Sequence, residues 1–194
     1  MPARSELPAA LSWPTGGDTT QGALRELRAT HDRVGLTGLR PSVLPHHRTC
    51  GFLGQAVRVV KRAHPFRIHA WVVLPDHLHC VIELPEGDSD FALRWRLIKL
   101  LFSRALPKTE RLSVVRQRRR ERGIWQRRYW EHLIRDERDY AAQVDYAHIN
   151  PLKHGLVRAV RDWPYSTFHR LVAAGVYPAD WADGGAASAS PFED

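Results

Sequence analysis

Apolar positions along the chain follow two spacings, and the switches between them mark the elements. Arg67-Ile68-His69-Ala70-Trp71-Val72-Val73-Leu74 is rich in β-branched and aromatic residues and reads as a buried strand. Pro75-Asp76 makes a turn, and His77-Leu78-His79-Cys80-Val81-Ile82-Glu83-Leu84 reads as the returning strand. So short a connection predicts an antiparallel hairpin, which Pro85-Glu86-Gly87 ends. The period then changes to that of a helix. Phe91, Trp95, Ile98, Phe102 and Ala105 share one face, Asp88 or Ser89 can cap the start, and Pro107 closes the end. Before the hairpin, residues 53–61 fit an amphipathic turn or two that stops at His64-Pro65.

After the first long helix, residues 124–134 read as a strand carrying aromatics. Asp136, with Asp139 three residues on, caps a second helix that runs to about Asn150, before Pro151, with Gly155 as a stop. A short helical piece over 165–174 precedes a turn at Gly175-Val176-Tyr177-Pro178. Residues 1–50 hold five prolines and five glycines and show no sustained period of either kind, beyond a short helix over 21–33. They are expected to form an atypical, poorly ordered segment, and residues 183–194, small and polar, a disordered tail. The order of elements predicts an α+β fold over 51–182, one antiparallel sheet with helices packed on it.

Charge narrows the class of partner. The 194 residues carry 29 Lys or Arg against 21 Asp or Glu, a formal net charge of +8. Between Lys108 and Arg128 nine Lys or Arg face only Glu110 and Glu121, so +7 is concentrated in one stretch. Such a run is either a solvated loop or a phosphate-binding surface. The adjacent Trp125, Tyr129 and Trp130 favour the second, because rings beside cations can stack on unpaired bases; otherwise they are core. Two cysteines, Cys50 and Cys80, exclude a disulfide framework and a four-cysteine zinc site. No stretch of about eighteen apolar residues is present. Nor is there a basic start followed by an apolar run, so a soluble cytoplasmic protein is expected.

Two small patterns carry candidate chemistry. His77 and His79 are two residues apart on a strand, so both imidazoles point to one face with Cα atoms roughly 7 Å apart and can converge on a cation. Alone, such a pair is more often two unrelated histidines. Tyr146 and Asn150 are one helical turn apart and share a face. Alone, they are a core tyrosine and a helix-terminal asparagine. Together with the basic stretch they make up what is needed to break a DNA strand covalently. A divalent ion on the histidines would neutralise the scissile phosphate, and the Tyr146 oxygen would attack phosphorus to leave a 5′-phosphotyrosine and a 3′-hydroxyl. The ester keeps the bond energy, so rejoining needs no nucleotide cofactor.

Several ordered motifs add a family resemblance. Ala70-Trp71-Val72-Val73-Leu74-Pro75-Asp76-His77-Leu78-His79-Cys80 resembles the signature of the REP-associated tyrosine transposases. So do Ile124-Trp125-Gln126-Arg127-Arg128-Tyr129-Trp130-Glu131-His132 and Val144-Asp145-Tyr146-Ala147-His148-Ile149-Asn150-Pro151-Leu152-Lys153-His154-Gly155. Trp163-Pro164-Tyr165-Ser166-Thr167-Phe168-His169-Arg170 and Gly175-Val176-Tyr177-Pro178-Ala179-Asp180-Trp181 continue it in the same order, so the resemblance spans about 53–182. It implies a ferredoxin-like palm and a single-tyrosine HUH site, with His77, His79 and Asn150 on a divalent metal (Mg or Mn) and Tyr146 as nucleophile. It also implies single-stranded DNA with REP hairpins as partner, the chain acting as a monomer without a membrane. Arg94, Arg118, Arg119, Arg120, Trp125, Arg127, Arg128 and Lys153 are the expected DNA contacts. The segment around Tyr177 to Trp181 resembles one that lies near the active site and regulates access.

The front departs from the family, whose members open with an aromatic, alternating strand that is central in the sheet. Residues 34–44 are the best substitute and are broken by glycines and Pro41. That departure keeps a second reading open, a REP-hairpin binding module that cannot cleave. A third, an unrelated histidine-dependent metallohydrolase, lacks a further histidine or carboxylate at ligand spacing, apart from Asp76.

Overall fold

The computed structural model describes residues 33–37, 47–119, 121–125 and 130–183. Four strands form one antiparallel sheet: β1 (Arg33–Thr37), β2 (Arg67–Val73), β3 (Leu78–Glu83) and β4 (Trp130–Leu133), in the order β2-β3-β1-β4. The helices are α1 (His47–Ala63), α2 (Phe91–Ala105), the short α3 (Val114–Arg118), α4 (Glu137–Lys153) and α5 (Phe168–Ala173), with a 3-10 turn at Val160–Asp162. The mixed architecture with an antiparallel sheet is the one the sequence predicts.

Side-chain alternation on the hairpin divides the core. Ile68, Trp71, Val73, Leu78, Cys80 and Ile82 face one side, where α1 contributes Leu53, Val57 and Val60 and α2 contributes Trp95, Ile98 and Phe102. Ala70, Val72, Leu74 and Val81 face the other, against Tyr140, Val144 and Ala147 of α4 and Leu171 of α5. β3 is therefore internal and covered on both faces, the environment its continuous apolar run calls for. The outer edge of β2 is covered too. Val73 N–H donates to the Tyr165 carbonyl at 2.9 Å, Thr167 N–H to the Trp71 carbonyl at 2.9 Å, and Trp163 Nε1–H to the Val73 carbonyl at 2.9 Å. The Trp163-Pro164-Tyr165-Ser166 motif thus satisfies backbone groups that an edge strand would leave open.

Several boundaries differ from the sequence reading. A strand lies ahead of residue 51, because β1 pairs with both β3 and β4 and holds the sheet together. Five residues with a central glycine are too few to show a period. α1 starts at His47, well before residue 53; Gly51 and Gly54 lower its intrinsic propensity, and packing of Cys50, Leu53 and Val57 outweighs them. β3 starts at Leu78, leaving His77 in the turn, where its carbonyl accepts from Leu74 N–H at 2.8 Å. α2 is capped by Asp90 rather than Asp88 or Ser89, its carboxylate accepting from Leu93 N–H at 2.8 Å. Asp88 instead closes a turn with Pro85 across Gly87, whose φ of +78° suits the third residue of a type II turn. Of the strand expected over 124–134, Trp130–Leu133 forms β4, and Ile124 is instead buried against the α1 and α2 core. The expected helix over 21–33 and tail over 184–194 lie outside the described residues.

α4 keeps going through Pro151 to Lys153. The ring removes one backbone donor, and the helix then ends at Gly155. With φ of +65°, Gly155 allows its own N–H to reach the Leu152 carbonyl and Leu156 N–H the Pro151 carbonyl, both at 2.9 Å. At the other end Asp136 caps α4, accepting from Asp139 N–H at 2.8 Å. Asp136→Ala is expected to cost about 1 kcal/mol, read as a lower urea midpoint with an unchanged denaturant slope. An unaltered midpoint would show that α4 is held by packing alone.

Candidate active site

α4 and β3 bring the chemistry-bearing side chains together. His79 lies on the α4 face of β3 and is 6% exposed. Its ring meets the Tyr146 ring edge-on at 5.3 Å between centroids, and the His77 ring at 4.9 Å on the other side. The two imidazoles thus converge although His77 precedes the strand. Asn150 is buried one turn after Tyr146, and its amide donates back to the Tyr146 carbonyl while its side chain also hydrogen-bonds His79. Lys153 places its ammonium 5.1 Å from the centre of the Tyr146 ring. The four residues assigned to catalysis and metal binding from sequence are all in one place.

One member was missed. The His154 ring stacks edge-on against His77 at 5.1 Å between centroids. Tyr146, Asn150 and His154 recur every four residues along the end of α4, so the stripe was readable, but Pro151 argued for a helix that stops too early.

Electrostatics set the protonation states. Burial drives the His79 imidazole down to about 3, with the neighbouring His77 and His154 adding to the shift; hydrogen bonding to Asn150 and the charge of Asp76 oppose it. His79 is therefore neutral over the working range and keeps a lone pair. Asp76 accepts from His77 Nδ1 at 2.6 Å. Partial burial raises its carboxyl, but the His77 hydrogen bond and charge outweigh this and hold it low. That contact orients the His77 ring and fixes which nitrogen is committed. Among the described residues no group of three or more His, Cys, Asp or Glu is disposed to hold a metal ion. A metal shell here would have to draw on the Asn150 amide beside the two imidazoles.

The helix that carries Tyr146 is seated by contacts away from that residue. His148, fully buried, meets Thr167 Oγ1 at 3.0 Å, and that hydroxyl accepts from Trp71 N–H at 2.8 Å. A register shift between Ile68 and Ala70 marks a bulge that turns His69 to the α4 side. There it meets Tyr140 Oη at 2.9 Å and Glu83 at 2.7 Å. The Tyr140 hydroxyl, six residues before Tyr146, is thereby held away from the site. From the C-terminal side Tyr177 donates its hydroxyl to Asp145, directly beside Tyr146. The segment over 177–181 thus meets α4 at Asp145 and His148.

The expected DNA contacts divide. Arg118 and Arg119 are exposed on and just after α3, and Lys153 is exposed beside Tyr146. Arg120, Arg127 and Arg128 lie outside the described residues. Arg94 is a correction: it is 3% exposed, donating to Pro65 O and to Asp88 Oδ2 at 2.9 and 2.5 Å, so its guanidinium joins α2 to the turn before β2. Trp125 is another. Its indole N–H donates to Ser103 Oγ at 2.9 Å, and its ring packs on Trp95 and Phe102 at 5.9 and 5.2 Å, which makes it a core residue. Arg122, counted in the basic stretch, closes the C-terminus of α2 through the Ser103, Leu106 and Pro107 carbonyls. Only part of the +7 run is thus available to a partner.

Among curated proteins, a REP-associated tyrosine transposase of Escherichia coli (strain K12) is 53% identical over 130 residues, 67% of this chain and 71% of that one. A putative REP-associated tyrosine transposase of Haemophilus influenzae (strain ATCC 51907 / DSM 11121 / KW20 / Rd) is 53% identical over 119 residues, 61% of this chain and 68% of that one. A solved structure of a REP-associated tyrosine transposase bound to a REP hairpin superposes with a TM-score of 0.67 at 40% identity, covering 86% of this chain and 95% of that one. No family model matches the chain.

The buried histidines predict an acid response. Burial lowers His148 to about 3, as it does His79, so both bind a proton in the unfolded chain near pH 6.5 but not in the folded one. Their contribution to stability is complete above that pH and is lost as pH falls toward 3. Each steepens the loss by about 1.4 kcal/mol per pH unit. Imidazole resonances of both that stay neutral well below pH 6.5 are the expected NMR result. Titration of either near 6.5 in the folded protein would contradict it.

Proposed function

The chain belongs to the REP-associated tyrosine transposase family, and from that premise we propose that it nicks and rejoins single-stranded DNA beside REP-type hairpins. The observation that carries this reading is the Tyr146 ring set edge-on against His79 with His77 directly beyond. A tyrosine over the neutral His79 imidazole, rather than in the middle of a core, is arranged for attack on a phosphate. The strand order and the two helices α1 and α2 on one face support reading the sheet as a ferredoxin-like palm, with α4 on the opposite face presenting the nucleophile.

The donor set fits a divalent metal such as magnesium or manganese. His79 is in its neutral, ligating form, His77 is oriented by Asp76, and Asn150 brings an amide to the same point. His77, His79 and Asn150 would hold it, and it would supply charge neutralisation on the scissile phosphate. The chain's own residues do the rest. Tyr146 oxygen forms a bond to phosphorus as the bond to the 3′-oxygen breaks; the phenolic proton is lost and the departing oxygen gains one. The products are a 5′-phosphotyrosine ester and a free 3′-hydroxyl, and the reverse attack rejoins a strand without a nucleotide. Lys153, with its ammonium above the Tyr146 ring, is placed to pair with a phosphate oxygen.

A binding module without cleavage was kept open by the apparent lack of a first strand. β1 occupies that place in the sheet, which removes the observation favouring it. Among the described residues no helix is long and apolar enough to cross a membrane.

Tyr146→Phe keeps the ring and removes the nucleophile. Incubated with a REP-type hairpin and magnesium or manganese, the parent is expected to give a covalent protein–DNA band on a denaturing gel. The variant should bind the DNA and give no band. Cleavage by the variant at the parent rate would refute the tyrosine assignment.

The exposed arginines should contribute affinity with little sequence choice. Replacing Arg118, Arg119 and Arg120 with Gln is expected to reduce the slope of log Kd against log salt by about 0.7 for each phosphate no longer neutralised. An unchanged slope would show that this run is only a solvated surface.

A further inference from the structure

The sheet register places an aromatic surface in line with the active site. In β1, Thr37 pairs with His79 of β3 on one side and with Trp130 of β4 on the other. Paired residues of antiparallel strands project to the same face, so Trp130 shares the α4 face with His79. It lies two strand spacings away, about 10 Å. The contacts of its neighbour agree with this side: His132, two residues on, holds both oxygens of Asp139 on α4 at 2.8 Å.

Trp130 is unlike the other tryptophans whose rings pack in the core. It is 48% exposed, and its ring lies parallel to that of His132, with centroids 5.6 Å apart and planes within 1°. Asp139 also accepts from Arg135 N–H at 3.0 Å, so the His132 ring is fixed from the helix that carries Tyr146. The indole is thus a large apolar ring backed by a clamped imidazole. It stands on an edge strand of a strongly basic chain, with Arg135 and Arg138 exposed nearby in sequence. A large aromatic left half exposed costs solubility, whereas a flat ring among cations suits a base above a phosphate backbone.

We infer that Trp130 is a nucleobase-stacking platform that holds an unpaired nucleotide of the single-stranded substrate near the scissile phosphate. At about 3.4 Å per stacked nucleotide, a gap of about 10 Å corresponds to roughly three nucleotides between the stacked base and a phosphate held beside His79. The Asp139–His132 pair acts as a positioning device for the ring. This rests on the nicking reading for its substrate, but it concerns binding and is tested by binding.

The test uses the full chain, a REP-type hairpin with an unpaired flank, and the same DNA with one abasic site moved along that flank. Trp130→Ala is expected to weaken binding of the intact DNA roughly 5- to 150-fold, the range for loss of one stacked base, with an unchanged salt slope. Trp130→Phe should retain most of the affinity and controls for folding, together with the urea midpoint of each variant. One abasic position should weaken the parent by a similar factor, and at that position Trp130→Ala should add little. Equal effects of Trp130→Ala at every abasic position, or none at all, overturn the stacking platform. A parent chain that binds none of these DNAs overturns it as well. Binding with the expected abasic pattern but no covalent product supports the platform and refutes only the nicking reading.

Discussion

Everything the site does depends on how α4 is laid across the β2–β3 hairpin. A rotation of that helix by one residue would carry the Tyr146 ring away from His79. Apolar contact among Val72, Val81, Tyr140, Val144 and Ala147 supplies the adhesion, but such contacts tolerate sliding. Polar contacts set the phase. His148 is tied through Thr167 to the Trp71 backbone, and Tyr140 is tied through His69 to Glu83. Each partner is buried or half-buried, so a shift that broke either pair would strand polar atoms away from water. The bulge at His69 lets that side chain share the α4 face with Ala70 while Ile68 and Trp71 face the other layer.

Burial has opposite consequences for the two kinds of histidine. His148 is neutral because nothing near it rewards a charge, and its role is to hold the helix. His79 is neutral for the same reason, reinforced by two neighbouring histidines, and in its case neutrality leaves a donor atom for chemistry. The same desolvation leaves the Cys50 thiol inert, pushed up to about 11. What separates these two imidazoles is the neighbour and not the shift. Tyr146, Asn150 and His77 surround the second, whereas Thr167, Phe168 and Tyr177 surround the first.

Much of this was readable in the chain because it rests on local periods. The hairpin, the two long helices and the pairing of Tyr146 with Asn150 follow from spacings of two and four residues, and Gly155 stops its helix where a left-handed residue is needed. What was not readable depends on contacts between distant segments. β1 is five residues with a central glycine, and only β3 and β4 on either side make it a strand. The bulge at His69 leaves no mark in the alternation, since histidine suits either face. Arg94 and Trp125 look like surface groups in a basic sequence. Their partners, Pro65 and Asp88 for one and Ser103 for the other, lie up to 29 residues away.

The fate of the basic residues shows why composition alone misleads about a binding surface. Arg94 and Arg122 each spend several N–H groups on backbone carbonyls, at the entrance of β2 and at the C-terminus of α2. A guanidinium suits that task, since its planar fork reaches several acceptors at once and stays charged when buried. These arginines count toward the net charge yet contribute to a partner only through long-range field, which salt screens within about 10 Å at 0.1 M. Arg118, Arg119 and Lys153, by contrast, present their side chains at the surface. Of the expected DNA contacts, those described at the surface are therefore Arg118 and Arg119, on and just after α3, and Lys153 at the end of α4. Lys153 stands beside Tyr146, its ammonium 5.1 Å from the centre of that ring.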